Sequence, residues 1–288
     1  MTMLTSSLRS LALATALVLP SLAIAAPAPP PLKILLITGG CCHDYAAQKD
    51  LLKQGLEKRA NVIVDQMHTD DKSTKPPLAC LTDANYAKGY DLVIHDECAA
   101  DIADPDILQR VLAPHLAGLP GVNLHCAMHS YRVSLNFRRP LVPGSEGAGW
   151  FDFLGLQSSA HGPKEPIAIA FTPSGSAITK GLENWLTIGE ELYNNVQDPK
   201  TFPGHRSLAT GRQTVKARDG KTSEVESVVV WTNEFGPKKA RVFSTTIGHQ
   251  NETVADPRYL ELVTRGVLWA AGKLGDDGRP AAGYGPRS

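Results

Sequence analysis

The chain has 288 residues, with Lys plus Arg equal to Asp plus Glu at 29 each. That balance leaves no global basic field to attract a nucleic acid, and no long run of like charge offers an electrostatic docking tail. The length is enough for one large domain or two small ones, either with a substantial core.

The first segment reads as a leader rather than as part of a fold. Met1 to Arg9 carries one positive charge and no acid, and an apolar run from Leu11 to Ala26 ends in small residues. Ala23-Ile24-Ala25 fits a signal-peptidase site, so residues 1–25 are expected to be a signal peptide and the protein exported, periplasmic or extracellular. Pro20 interrupts the run, which is short for a bilayer crossing of about 20 residues. No stable membrane span is therefore expected after cleavage. Residues 26–31 read as a stiff Pro-rich spacer, residues 32–274 as one domain, and the Gly- and Pro-rich stretch 275–288 as a disordered tail.

Leu32-Lys33-Ile34-Leu35-Leu36-Ile37-Thr38 has the length and apolar continuity of a strand buried on both faces, ended at Gly39-Gly40. These glycines suit a sharp turn, because no phosphate-binding loop pattern follows them. Leu51, Leu52 and Leu56 give 45–58 a helical spacing. Strands are predicted at 61–64, 91–94 and 121–124, and a helix at 104–116 opened by Asp104-Pro105. Another helix is expected near Ala127. Further strands are predicted at 166–171, 228–231 and 240–246, and an amphipathic helix at 259–274. Trp185, Trp231 and Trp269 read as core. Alternation of strands and helices with short links predicts an α/β fold, a largely parallel sheet flanked by helices.

The histidines fall where such a sheet binds ligands, beyond the carboxyl ends of its strands. His43-Asp44 follows the first strand, His95-Asp96-Glu97 the third, His125 the fourth (with His129 a turn later), and Gly248-His249-Gln250 the last. Imidazole titrates near neutrality and serves as acid, base, donor or metal ligand. A polar functional site along this edge is expected. The cysteines, 41, 42, 80, 98 and 126, are odd in number, so at least one is left over or pairs between chains, and spacing leaves the connectivity open. Adjacent Cys41 and Cys42 exclude a zinc ribbon.

Several stretches together carry a family resemblance: residues 33–40 with His43, Asn123-Leu124-His125, residues 150–156 leading to His161, residues 178–182, Glu190-Glu191-Leu192-Tyr193, Val230-Trp231-Thr232 and residues 241–249. In number and order, from about Leu32 to Gly272, they resemble the ThuA-like (trehalose utilisation) family. The resemblance implies a flavodoxin-like sheet of the class I glutamine amidotransferase type and a link to sugar metabolism. It also brings in His161 and Glu191 from loops covering the edge. The Cys41-Cys42 pair and His125-Cys126-Ala127-Met128-His129 depart from the family pattern.

Four readings follow. The first is an enzyme acting on a small-molecule carbohydrate, a sugar or keto-sugar. His125, His249 and Glu191 would be its catalytic acid–base groups, and His43, Asp44, Glu97, Trp150 and His161 its substrate-binding residues, with Trp150 as aromatic platform. The second is a carbohydrate-binding protein without catalysis. The third is a hydrolase holding a divalent metal on two or three of His43, His125, His161 and His249, although no H-E-x-x-H pair is present, and His125 and His129 share a face only on a helix. The fourth is a Cys126 nucleophile at a strand–helix elbow, which His125 and Met128 crowd. No cofactor beyond that metal is indicated, and the oligomeric state is left open.

Overall fold

A computed structural model describes residues 29–173, 175–216 and 219–287. The expected signal peptide and the start of the spacer lie outside the described residues. The predicted alternation is present through the first half: β1 (Leu32–Gly40), α1 (Tyr45–Arg59), β2 (Val62–Thr69), β3 (Leu92–Cys98), α2 (Pro105–Leu116) and β4 (Gly121–Leu124). Side chains alternate across β1, so Ile34 and Leu36 pack in one apolar cluster with Leu52, Leu56 and Val263. Leu35 and Ile37 pack in another with Val111, Trp150 and Phe153. A strand covered on both faces needs an unbroken apolar run, and β1 has one.

The chain then changes habit. After α3 (Gly149–Leu154) come β5 (His161–Phe171), β6 (Trp185–Tyr193), β7 (Arg206–Lys216), β8 (Thr222–Phe235) and β9 (Ala240–Thr245), then α4 (Asn251–Ala255) and α5 (Pro257–Ala270). One nine-stranded sheet runs β2-β1-β3-β4-β9-β8-β7-β5-β6. Pairings from β2 to β9 are parallel and those from β9 to β6 antiparallel. The sheet is therefore mixed, which corrects the expectation of a largely parallel one. Antiparallel strands tolerate one wet face: Ile167 and Ile169 are buried whereas Ala168 between them is exposed, and Leu186 and Ile188 face outward.

Two smaller expectations also change. The helix near Ala127 is one short 3-10 segment, His125–His129. The tail is docked rather than loose. Leu274 bridges to Pro280, the Asn61 amide donates to the Gly283 carbonyl at 2.9 Å, and Tyr284 packs against the first cluster. Among the described residues no helix is long and apolar enough to cross a membrane.

Candidate metal centre

Backbone geometry at three strand ends decides where the imidazoles point. Gly40 has φ +102°, and a Cβ there would run into the Cys98 carbonyl, so the chain can turn out of β1 toward His43 only at a glycine. His125, directly after β4, takes φ 41°, a left-handed conformation that non-glycine residues seldom adopt. Gly248, after β9, has φ +131°, and a Cβ would sit 2.8 Å from the Tyr259 hydroxyl. Strained or glycine-only backbone thus sits beside all three histidines.

The three rings converge. His43 Nε2 lies 2.9 Å from His249 Nδ1 and 3.0 Å from His125 Nε2. Glu191 at the end of β6 completes the group, its Oε2 3.6 Å from His125 Nε2 and 3.4 Å from His249 Nδ1. One ligand atom from each of these four residues lies within 4.8 Å of the others. The geometry selects Glu191 in place of His161 as the fourth donor. His161 is exposed and reaches the same carboxylate oxygen at 3.7 Å from the rim. His161 and Glu191 sit on paired strands, β5 and β6, rather than on covering loops.

Outer contacts hold the rings. His125 Nδ1 is 2.6 Å from the Thr246 carbonyl, a contact that only an Nδ1–H can satisfy, which leaves the Nε2 lone pair facing the centre. His43 Nδ1 meets the Tyr45 hydroxyl at 3.2 Å. Backbone N–H groups of Gly248, His249 and Gln250 donate to the Glu190 carboxylate at 3.3, 2.9 and 3.1 Å. The Gln48 amide donates to the His249 carbonyl at 3.0 Å. Glu190 and Gln48 therefore clamp the loop that carries His249.

Protonation fits a cation. Burial, then the neighbouring His125 and His249 rings, drive His43 down to about 2, so it is neutral at working pH. Burial alone would raise the Glu191 carboxyl, but the His125 and His249 rings beside it hold it well below the usual range. A neutral imidazole, as at His43, and an ionised carboxylate, as at Glu191, are the forms that bind metals. Protons alone serve the cluster poorly. His43 Nε2 has one in-plane site yet faces two ring nitrogens, so it cannot make good hydrogen bonds to both. A single ion among the four donors satisfies all of them.

Other expected site residues lie elsewhere. Glu97 is fully buried, joined to His95 Nδ1 at 2.9 Å and to the Tyr131 hydroxyl at 2.7 Å, and so does not reach substrate. His95 points into the protein toward His115, at 3.1 Å, rather than to the edge. Trp150 is fully buried in α3, its indole donating to the Ala127 carbonyl, and cannot be a sugar platform. Asp44 is exposed and caps α1, bonding Ala47 N and the Asn251 amide. Cys126 is buried, and a hydrogen bond with Cys98 together with burial pushes its thiol up, which disfavours a nucleophile. Cys41 and Cys42 are bonded to each other, with Cys41 Sγ 3.3 Å from Cys98 Sγ.

The centre opens into a cavity of roughly 520 Å³ whose lining includes His129, Arg132, Arg138, Lys164 and Tyr193. Sequence reading had not brought in the last four or Glu190. Tyr193 stacks on His129 with ring centroids 4.2 Å apart. The paired acids Glu190-Glu191 were the available signal, because adjacent strand residues face opposite ways and so serve loop and cavity separately.

These features define an α/β protein with a histidine- and carboxylate-lined centre at the carboxyl edge of a mixed sheet. The chain belongs to the ThuA family, described as trehalose utilisation, whose model matches residues 33–270. It is similar to solved ThuA-like proteins of Parabacteroides merdae (20% identity, TM-score 0.61) and Bacteroides uniformis (16% identity, TM-score 0.58). Each alignment covers 90% of this chain and 98% of the other. At these identities the likeness speaks to fold alone. A search of curated proteins finds no match.

Proposed function

We propose that this chain is a metal-dependent enzyme acting on a sugar or oxidised keto-sugar derivative. One divalent ion would be held by His43, His125, His249 and Glu191. The observation that carries the reading is the convergence of three ring nitrogens, with Nε2 of His43 only 2.9 and 3.0 Å from the other two, beside a deprotonated carboxylate. Three imidazoles and a carboxylate suit zinc and other first-row divalent ions. Such an ion polarises a bound carbonyl or lowers the pKa of a bound water. His129 and Tyr193, stacked on one another and buried at the cavity wall, back the cluster from behind. Family membership supports the carbohydrate link. We also infer export, from the leader-like first 25 residues and the Cys41–Cys42 disulfide, which suits an oxidising compartment.

The test is elemental analysis of untagged protein, followed by a turnover screen of disaccharides and keto-glycosides. About one equivalent of a transition metal per chain, with turnover abolished by chelation, is expected. Less than about a tenth of an equivalent after incubation with zinc, manganese or cobalt removes the metal. Metal and sugar binding without turnover would identify a binding protein instead.

A further inference from the structure

The cavity beside the centre carries a charge excess that the histidines do not explain. Arg132, Arg138 and Lys164 line it, and its only carboxylate is Glu191, which the centre uses. The Arg132 guanidinium lies 4.5 Å over the Phe137 ring, and that of Arg138 lies 5.2 Å from the same ring. Two like charges therefore share one aromatic ring. Neither has a carboxylate partner: the arginine ion pairs among the described residues belong to Arg212, Arg258 and Arg265. Arg132 Nε is buried with no hydrogen-bond partner among the described residues. Lys164 meets only Glu191, at 4.0 Å.

A buried guanidinium N–H without an acceptor is costly to maintain, and a second cation on the same ring adds repulsion. An anion seated between them relieves both. The planar fork of arginine matches carboxylate and phosphate oxygens in pairs, and stacking on a ring holds the fork in place. We propose that the cavity takes an anionic sugar derivative, its carboxylate or phosphate held by Arg132 and Arg138 while its hydroxyl or carbonyl oxygens face the ion. This names the substrate class of the site described above and rests on that reading.

The test is titration calorimetry on the full chain incubated with zinc, using glucose, glucuronate and glucose 6-phosphate as probes. One of the charged sugars should bind at least about tenfold tighter than glucose, and the preference should shrink with added salt. Glucuronate binding the tighter assigns a carboxylate, and glucose 6-phosphate binding the tighter a phosphate. Because the ion itself attracts anions, the arginine variants decide. In R138Q and in R132Q/R138Q the preference should fall below about threefold while zinc content stays unchanged. R138Q alone serves if the double variant misfolds, since Arg138 is exposed. Equal binding of the three sugars, no binding of any, or a preference that survives in the variants overturns the proposal. If wild-type protein retains no zinc but the preference appears and is lost in the variants, the metal reading fails and the anion site stands.

Discussion

In the parallel half of the sheet the inner strands β1, β3 and β4 are packed on both faces, whereas the antiparallel half, from β8 to β6, leaves Leu186 and Ile188 exposed on one. The two halves also supply different chemistry. β1, β4 and β9 lead within a few residues to His43, His125 and His249, and β6 carries the acidic pair Glu190-Glu191 near its end. The first half thus provides three imidazole donors from its strand tips. The second returns to supply the one anionic donor and the clamp on the His249 loop. The lesson is that the rigid doubly covered half sets the geometry, and the half covered on one face sets charge and access.

That division breaks first at the ligands. Replacing His125 or His249 with Ala should weaken metal binding more than the roughly 10–100-fold typical of outer-shell residues. Chelator competition measures this, and a loss of under tenfold would mean that the strand tips do not form the centre. Glu190→Gln reaches the same centre from the antiparallel half, and through the backbone alone. It should lower metal affinity by roughly 10–100-fold. Weakening three N–H acceptor contacts should also cost about 1–3 kcal/mol in urea unfolding. Unchanged affinity would uncouple the two halves.

Acid provides a third, smaller test. Burial lowers His43 to about 2, His115 to about 3 and His205 to about 4, each from an ordinary value of 6.5. Each ring is neutral in the fold and protonates more readily once unfolded. Their contribution is therefore present above pH 6.5 and is lost as pH falls below it. The slope is up to ~1.4 kcal/mol per pH unit for each ring, until its folded value is reached. Urea midpoints of metal-free protein should drop between pH 7 and 5, and a flat profile would contradict neutral burial. The smallest effect is expected at Asp44→Ala. Loss of the cap on α1 should cost ~1 kcal/mol, with metal content unchanged. A loss of metal there would return Asp44 to the site.

Much of the parallel half was legible in the sequence because both faces of its strands demand apolar residues: β1, α1, α2 and the positions of His43, His125 and His249 follow from 32–38, 45–58, 104–116 and the strand ends. The direction of β5 to β8 was not legible. Pairing sense is not encoded in a short apolar run, and β6 and β7 lie among Gly- and Pro-rich links. His95 misled because an imidazole within a strand reads like one beyond it. Strand alternation aims it inward, where His115 and Glu97 satisfy it. Trp150 misled through its glycine-rich neighbours, since a single acceptor at Ala127 is enough to bury an indole. Arg132 and Arg138 carried no motif, and only the fold brings them to the cavity.

X-ray absorption at the edge of the bound metal addresses the central point most directly, because Cys98, and Cys41 and Cys42 once their disulfide is reduced, form a second donor group in the lining of the same cavity. Imidazole scattering with nitrogen and oxygen at about 2.0–2.2 Å is the result expected for His43, His125, His249 and Glu191. Sulfur at about 2.3 Å would move the ion to the cysteines and leave the three histidines without the role assigned to them.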